Sequence, residues 1–440
     1  MAAMTALSVV ILIAIGRFSP QIMPDTRGYL EIVGFPAMLA QPRTPLYGWL
    51  VVVLDLGRGS FVLVPAFHIV TYLAAVWLLV AQLRRYGLSA TAALSVGAAL
   101  FIANALLIDG GWVHPELLSI TCALVAFAGT VHLATEEPRW WGWLLVVGGT
   151  ACAYVFRPSF LPLIVALPLL YACLRVLRGG PLRFRHAAVI LLVTAAPFAG
   201  IASLRAATVG DANIVSFGGF AMSGLATLML SDDIVARLPE DLRPYAAQVL
   251  AARRAGEDSG RMIGIPLNSS NVRSFHSAAL AYFDVLARTY DDILYLVIQP
   301  TQRPNESWVD FNRRLTRFSF AVVRAAPDRY AAWIVGASTR VVGRSIVTNL
   351  PAMLALLVVA VVLPWRLFTR RPLGVSPAAR LDVPVLAVLA ILWFVGGGFL
   401  TMLTIAPSTR YIESASVLVA PLFVYWAALL LTRQTKSALP

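Results

Sequence analysis

Apolar residues fall along this chain in long runs separated by short polar turns, and the runs are of helix length rather than strand length. A bilayer core about 30 Å thick needs about 20 apolar residues per helix, because every backbone N–H and C=O has to be satisfied within the segment. The pattern predicts ten transmembrane helices, over residues 4–17, 61–82, 90–108, 115–134, 141–156, 159–177, 187–204, 347–365, 383–403 and 411–432. The run from Ala6 to Ile15 is short, but it lacks a basic start and a small-residue cleavage site, so it is expected to be a retained first helix and not a signal peptide. The fold expected is an all-α integral membrane protein.

Two segments interrupt the rhythm, 18–60 and 205–346. They divide the chain into an N-terminal transmembrane module (1–204, with its first loop 18–60), a large extracytoplasmic loop domain (205–346) and three C-terminal transmembrane helices (347–440). Inside the loop domain, Ser274 to Ile298 and Trp308 to Ala325 have amphipathic helical spacing, with Pro239, Pro244, Pro266 and Pro304 in the connections. The stretch from Arg329 to Ile346 is apolar but contains Arg340 and Arg344, which predicts an interfacial helix rather than a span.

Composition agrees with the pattern. The 440 residues are 59% hydrophobic and 13% charged, with a mean hydropathy of +0.77. The net charge of +13 is not a nucleic-acid footprint, since the arginines lie in short loops between apolar runs and not on an aromatic-interleaved basic face. They set topology instead. With a cytoplasmic N-terminus, the inner loops hold Arg84, Arg85, Arg139, Arg175, Arg178, Arg183, Arg185, Arg366, Arg370, Arg371 and Arg380, then Arg433 and Lys436. The short outer turns hold only Arg157 and Arg410. The positive-inside rule therefore puts both termini in the cytoplasm and segments 18–60 and 205–346 on the extracytoplasmic side. Thirteen of the 22 carboxylates lie in the larger segment, as expected for a solvated subdomain. No internal repeat of fixed period is apparent.

The chemistry is expected on that outer side. Asp25 follows the first helix in Pro24-Asp25-Thr26-Arg27-Gly28-Tyr29, and the same loop continues to Pro42-Arg43-Thr44-Pro45-Leu46-Tyr47. An acid, two aromatics and two arginines thus meet at the membrane surface. Spacing leaves two readings of Asp25 open: a carboxylate partly shielded from water and suited to general-base work, or the N-cap of a helix starting at Thr26. Glu116, in Val113-His114-Pro115-Glu116, opens the fourth helix, where it would bind substrate or simply complement the helix dipole. His114 beside it is either a proton carrier or an interfacial hydrogen-bonding residue. Arg157 and Arg410-Tyr411 occupy outer turns where topology requires no positive charge, and Glu413 lies one turn into the last helix. No set of ligand-spaced residues designates a metal centre: Cys122, Cys152 and Cys173 sit inside apolar runs, and His68, His132 and His186 form no coherent group. Asp232, Asp233, Asp291 and Asp292 leave open whether a divalent metal ion assists. Gly396, Gly397 and Gly398 suit close helix packing, and Asn268-Ser269-Ser270 and Asn305-Glu306-Ser307 match the N-glycosylation pattern.

The acid directly after the first helix, the D-T-x-x-Y of Asp25 to Tyr29, the R-T-P-x-Y of Arg43 to Tyr47 and the R-Y of Arg410-Tyr411 resemble the multi-spanning GT-C glycosyltransferases. The chain is most similar there to bacterial members related to the protein O-mannosyltransferases and aminoarabinose transferases. The resemblance implies transfer of a sugar, with inversion, from a polyprenyl-phosphate donor to a lipid, glycan or protein acceptor at the outer face of the inner (cytoplasmic) membrane. By carry-over Asp25 would be the catalytic base, with Arg43, Arg157 and Arg410 against the donor phosphate and Tyr29, Tyr411, Glu116 and His114 around the substrate. Thr26 departs from the mannosyltransferase pattern, in which Glu follows the loop acid. Two other classes compete. A transporter or flippase predicts ionisable residues near mid-membrane, and a non-catalytic envelope-complex subunit predicts that Asp25 is dispensable.

Overall fold

The computed structural model describes residues 1–31, 34–56, 58–135, 137–262, 275–369, 379–399 and 409–431, with the side chains of all but 275–282, 398, 409 and 410. Pro266, Asn268–Ser270, Ser274, Arg370, Arg371, Arg433 and Lys436, all singled out above, lie outside the described residues. The described residues are overwhelmingly helical and form no strand; the single bridge joins Gln21 to Trp112.

Seven described helices are long and apolar enough to cross a membrane: Leu63–Tyr86, Ala90–Asp109, Glu116–Leu133, Pro158–Leu177, Phe184–Val209, Leu350–Phe368 and Ala379–Gly397. Each coincides with a predicted span. Among the other three expected spans, Ala2–Ala14 and Trp141–Phe156 form shorter apolar helices. The run expected over 411–432 divides into Thr409–Ser416 and Ala420–Leu431. Pro421 explains the break: it has no N–H to continue the first helix but is well suited to the first turn of the second.

Burial follows from sequence. Glu116–Leu133 is apolar on all sides and almost wholly buried, packed along Trp141–Phe156 and Leu63–Tyr86. The approach is close: a Cβ on Gly149 would lie 2.7 Å from the Cys122 carbonyl oxygen and 2.8 Å from the Ala126 nitrogen, so only glycine fits at the crossing. Leu79, Phe127, Tyr154, Leu167 and Trp393 belong to the core built around this pair. Gly396 similarly sits against Leu163 and Ala166. In contrast, Phe184–Val209 and Leu350–Phe368 expose Leu192, Leu357 and Val361, as helices with a lipid-facing side do. His132 and His186 stack on Trp141 and Trp143 respectively, which are packing roles.

Described residues from Phe217 to Met262 and from Phe283 to Val341 build a second core. Its centre is Gly218–Met229, an apolar helix buried along nearly its whole length, flanked by Trp308–Ala325 and Phe275–Asp292. Trp308–Ala325 is strongly amphipathic and starts at Ser307, whose hydroxyl accepts from the Asp310 N–H at 3.1 Å. Pro327–Val347 packs Trp333, Ala337 and Val341 into the same core. Ile412 and Ala415 of Thr409–Ser416 join it too, so the 205–346 segment is seated on the last part of the chain. The paired acids here serve as surface charge: Asp232 meets Arg254 at 2.6 Å and Asp233 meets Arg237 at 3.0 Å.

Candidate functional site

The site begins with two segments lying side by side. The Gln21 N–H donates to the Gly111 carbonyl at 2.8 Å, and the Val113 N–H donates back to the Gln21 carbonyl at 3.0 Å. Arg17 reaches the Leu107 carbonyl at 2.6 Å. Thr26, fully buried, closes the arrangement: its hydroxyl donates to the Val113 carbonyl at 2.9 Å and accepts from the Met23 N–H at 2.9 Å. Asp25 is thereby held beside His114.

Asp25 occupies the N-cap position of the Thr26–Leu30 helix, but its side chain makes no capping bond. The carboxylate turns instead to Arg43, whose guanidinium donates to Oδ1 at 2.9 Å. Helix capping therefore does not account for the acid. His114 Nε2 stands 3.7 Å from Asp25 Oδ2, beyond hydrogen-bond length but within strong electrostatic range. On the other side of the imidazole, Nδ1 contacts Glu116 Oε2, and Glu116 Oε1 meets Arg157 at 2.9 Å. The Arg157 guanidinium then lies over the Tyr411 ring, 4.5 Å from its centroid. A continuous series of charged and aromatic contacts so runs from Arg43 through Asp25, His114, Glu116 and Arg157 to Tyr411.

Each member is presented by a helix end. Pro115 precedes Glu116 in the first turn of Glu116–Leu133, where a carboxylate also favours the helix dipole. Arg157 is extended (φ −146, ψ 107) between Trp141–Phe156 and Pro158–Phe160, which throws its side chain across the helix end. Pro45 starts the Pro45–Asp55 helix just after Arg43. Asp55 at the far end of that helix accepts from the Phe61 N–H at 2.6 Å and from the Gly59 N–H. Burial works against its charge, but those backbone donors outweigh it and lower the Asp55 pKa, so this acid closes a turn.

Burial is graded across the site. The side chains of His114, Glu116 and Arg157 are 3%, 2% and 9% exposed, while Asp25 and Arg43 retain 24% and 22%. Asp25 is thus open to solvent in part, whereas the groups behind it are enclosed. The Arg43 guanidinium also covers Tyr29, 4.6 Å from the ring centroid. Burial alone would lower its pKa, but Tyr29 and Asp25 more than compensate and raise it. Gly28 makes room for that position, since a Cβ there would fall 2.8 Å from Arg43 Nε. Tyr29 sets its edge against both Tyr47 and His114, with centroids 5.5 and 5.2 Å apart.

Of the residues selected from sequence, Asp25, Tyr29, Arg43, His114, Glu116, Arg157 and Tyr411 are all brought together. Arg410 precedes Tyr411 on the Thr409–Ser416 helix, but its side chain lies outside the described residues. Glu413, on the same helix, is buried. Sequence reasoning missed Thr26 as a tie to Val113, Gly28 as the space for Arg43, and Tyr47 as a buried wall; the D-T-x-x-Y and R-T-P-x-Y stretches carried a signal, but it pointed to the acid and the arginine and not to these structural roles. Among the described residues no group of three or more His, Cys, Asp or Glu is placed to hold a metal ion. Compared with known proteins, the chain matches no family model, no curated protein and no solved structure.

Proposed function

We propose that this chain is a GT-C-type glycosyltransferase, moving a sugar from a polyprenyl-phosphate donor to a hydroxyl on a lipid, glycan or protein acceptor at the extracytoplasmic face of the inner membrane. The topology that accompanies this proposal has ten crossings, both termini in the cytoplasm, and residues 18–60 and 205–346 outside. One observation carries the reading: a partly exposed carboxylate, Asp25, backed by an enclosed His114–Glu116–Arg157 series. That arrangement offers a base open to an acceptor and cations close by for a leaving phosphate.

In the proposed reaction Asp25 takes the acceptor hydroxyl's proton as that oxygen bonds to the anomeric carbon. The bond from that carbon to the phosphate oxygen breaks with its electron pair on the phosphate, and the anomeric configuration inverts. Arg157 is the enclosed cation nearest the site and would meet the developing phosphate charge, for which a planar guanidinium is well shaped. Arg43 fixes one Asp25 oxygen. Glu116 holds His114 by Nδ1 and so directs Nε2 toward Asp25, giving the captured proton a second station.

The test uses the purified full-length chain in liposomes with a panel of radiolabelled polyprenyl-phosphate sugars and mixed lipid and glycan acceptors. Transfer of label to an acceptor is the expected result. Movement of the lipid-linked sugar across the bilayer without transfer would establish a flippase and overturn the proposal.

A further inference from the structure

At the opposite end of the same two helices that present Glu116 and Arg157, a polar cavity opens. It has a volume of about 350 Å³ and is lined by Arg85, His132, Thr135, Glu137, Arg139 and Arg178. Among the described lining residues three guanidiniums accompany one carboxylate, a surplus of positive charge. Arg85 ends Leu63–Tyr86, His132 ends Glu116–Leu133 and Arg178 follows Leu163–Leu177. The C-terminal ends of three helices converge there, and the cations offset the negative ends of their dipoles.

The cavity is built and not a chance gathering of loop arginines. His132 is buried in its wall, with Nδ1 3.1 Å from Gln82 Oε1 and Nε2 accepting the Arg139 N–H at 2.9 Å. Because Nε2 accepts, Nδ1 carries the proton and donates to Gln82. The neutral ring thus pins the loop that bears Glu137 and Arg139. Trp141 stacks on the other face of the imidazole, 3.9 Å between centroids, and Trp140 beside it is 73% exposed. Exposed tryptophan next to arginines at a helix end is the composition of a membrane interface.

The geometry points to a binding site for a phosphate group at this face, taken up by the Arg85, Arg139 and Arg178 guanidiniums, with the phosphate of an anionic phospholipid headgroup or free phosphate as its source. Basic pockets between helix ends are suited to anionic headgroups, and guanidiniums match phosphate oxygens in pairs. The inference needs only that the helices span a bilayer; it does not depend on the transferase reading.

The experiment measures phosphatidylglycerol against phosphatidylcholine binding to the full-length chain by native mass spectrometry, with a parallel titration of inorganic phosphate. Wild type should prefer the anionic lipid, and Arg85→Gln/Arg139→Gln should weaken that binding about thirtyfold. Arg85→Lys/Arg139→Lys should keep most of it, and Arg183→Gln/Arg185→Gln, an equal loss of two charges at residues that do not line the cavity, should change nothing. Displacement by millimolar phosphate assigns the site to free phosphate, and failure to displace assigns it to the lipid headgroup. Equal binding of both lipids together with no phosphate binding, or an unchanged preference in the glutamine variant, would overturn the proposal.

Discussion

The Thr26 hydroxyl donates to the Val113 carbonyl across a separation of 87 residues, and this one bond ties the loop bearing Asp25 to the helix start bearing His114 and Glu116. Replacing Thr26 with Val keeps the volume but leaves the Val113 carbonyl and the Met23 N–H without their partner in a buried place. The expected loss is about 1–3 kcal/mol, read as a lower melting temperature in detergent, and activity should fall further than stability because Asp25 is released. A melting temperature equal to wild type would mean the tie is not made.

Gly28→Ala separates position from stability. The added methyl would meet Arg43 Nε at 2.8 Å, and the flexible arginine gives way. Sugar transfer should fall about tenfold or more while melting stays within about 0.5 kcal/mol of wild type, the usual range for a site without a core role. Unchanged transfer would show that Arg43 need not sit over Tyr29 and Asp25.

Arg205 clamps the two long segments to the helices. It is 2% exposed, donates to the Leu39 carbonyl, and bonds Asp211 at 3.0 Å and Ser216 at 2.6 Å. Arg205→Met should cost about 3–5 kcal/mol, the range for removing one partner of a buried ion pair. Limited proteolysis should then cut near residues 37–41 in the variant and leave them intact in wild type; equal cutting of both would contradict the clamp.

Acid should loosen the 205–346 segment through Glu306. Its hydrogen bonds to Arg314, at 2.7 and 2.8 Å, hold its pKa below the ordinary carboxylate value. A depressed folded-state pKa means the stabilisation is complete above the unfolded-state value and is lost as pH falls through the folded one. Glu306→Gln should therefore lower stability near neutrality and flatten the acid limb of the melting profile. An acid limb as steep as wild type would exclude Glu306 as a contributor.

Much of this arrangement was legible in the sequence, because the bilayer imposes a length and an apolar pattern on each helix. Seven spans follow from that alone. The last predicted span was not continuous, since a hydropathy run does not register Pro421. Gly218–Met229 was equally hidden: a short apolar helix inside a long polar segment looks like neither a span nor an amphipathic surface helix. For the site, Asp25, His114, Glu116 and Arg157 stood out as ionisable residues at helix ends on the expected outer side, Arg157 in a turn where topology requires no positive charge. Their mutual contacts did not, because Gln21 and Gly111 act through backbone bonds and Thr26 through a hydroxyl bond to a distant carbonyl, none of which leaves a periodic trace. Thr26 was read as a departure from a family pattern, while its hydroxyl has a structural task of its own.

The most direct test of the central claim is sugar transfer by Asp25→Asn against wild type at matched protein level, with donor binding measured on both. Asparagine keeps the shape and can remain near Arg43, but it cannot take a proton from the acceptor. General-base catalysis contributes about 10²–10⁴-fold, so transfer should fall by that range while donor binding is retained. Transfer by Asp25→Asn at the wild-type rate would contradict the account.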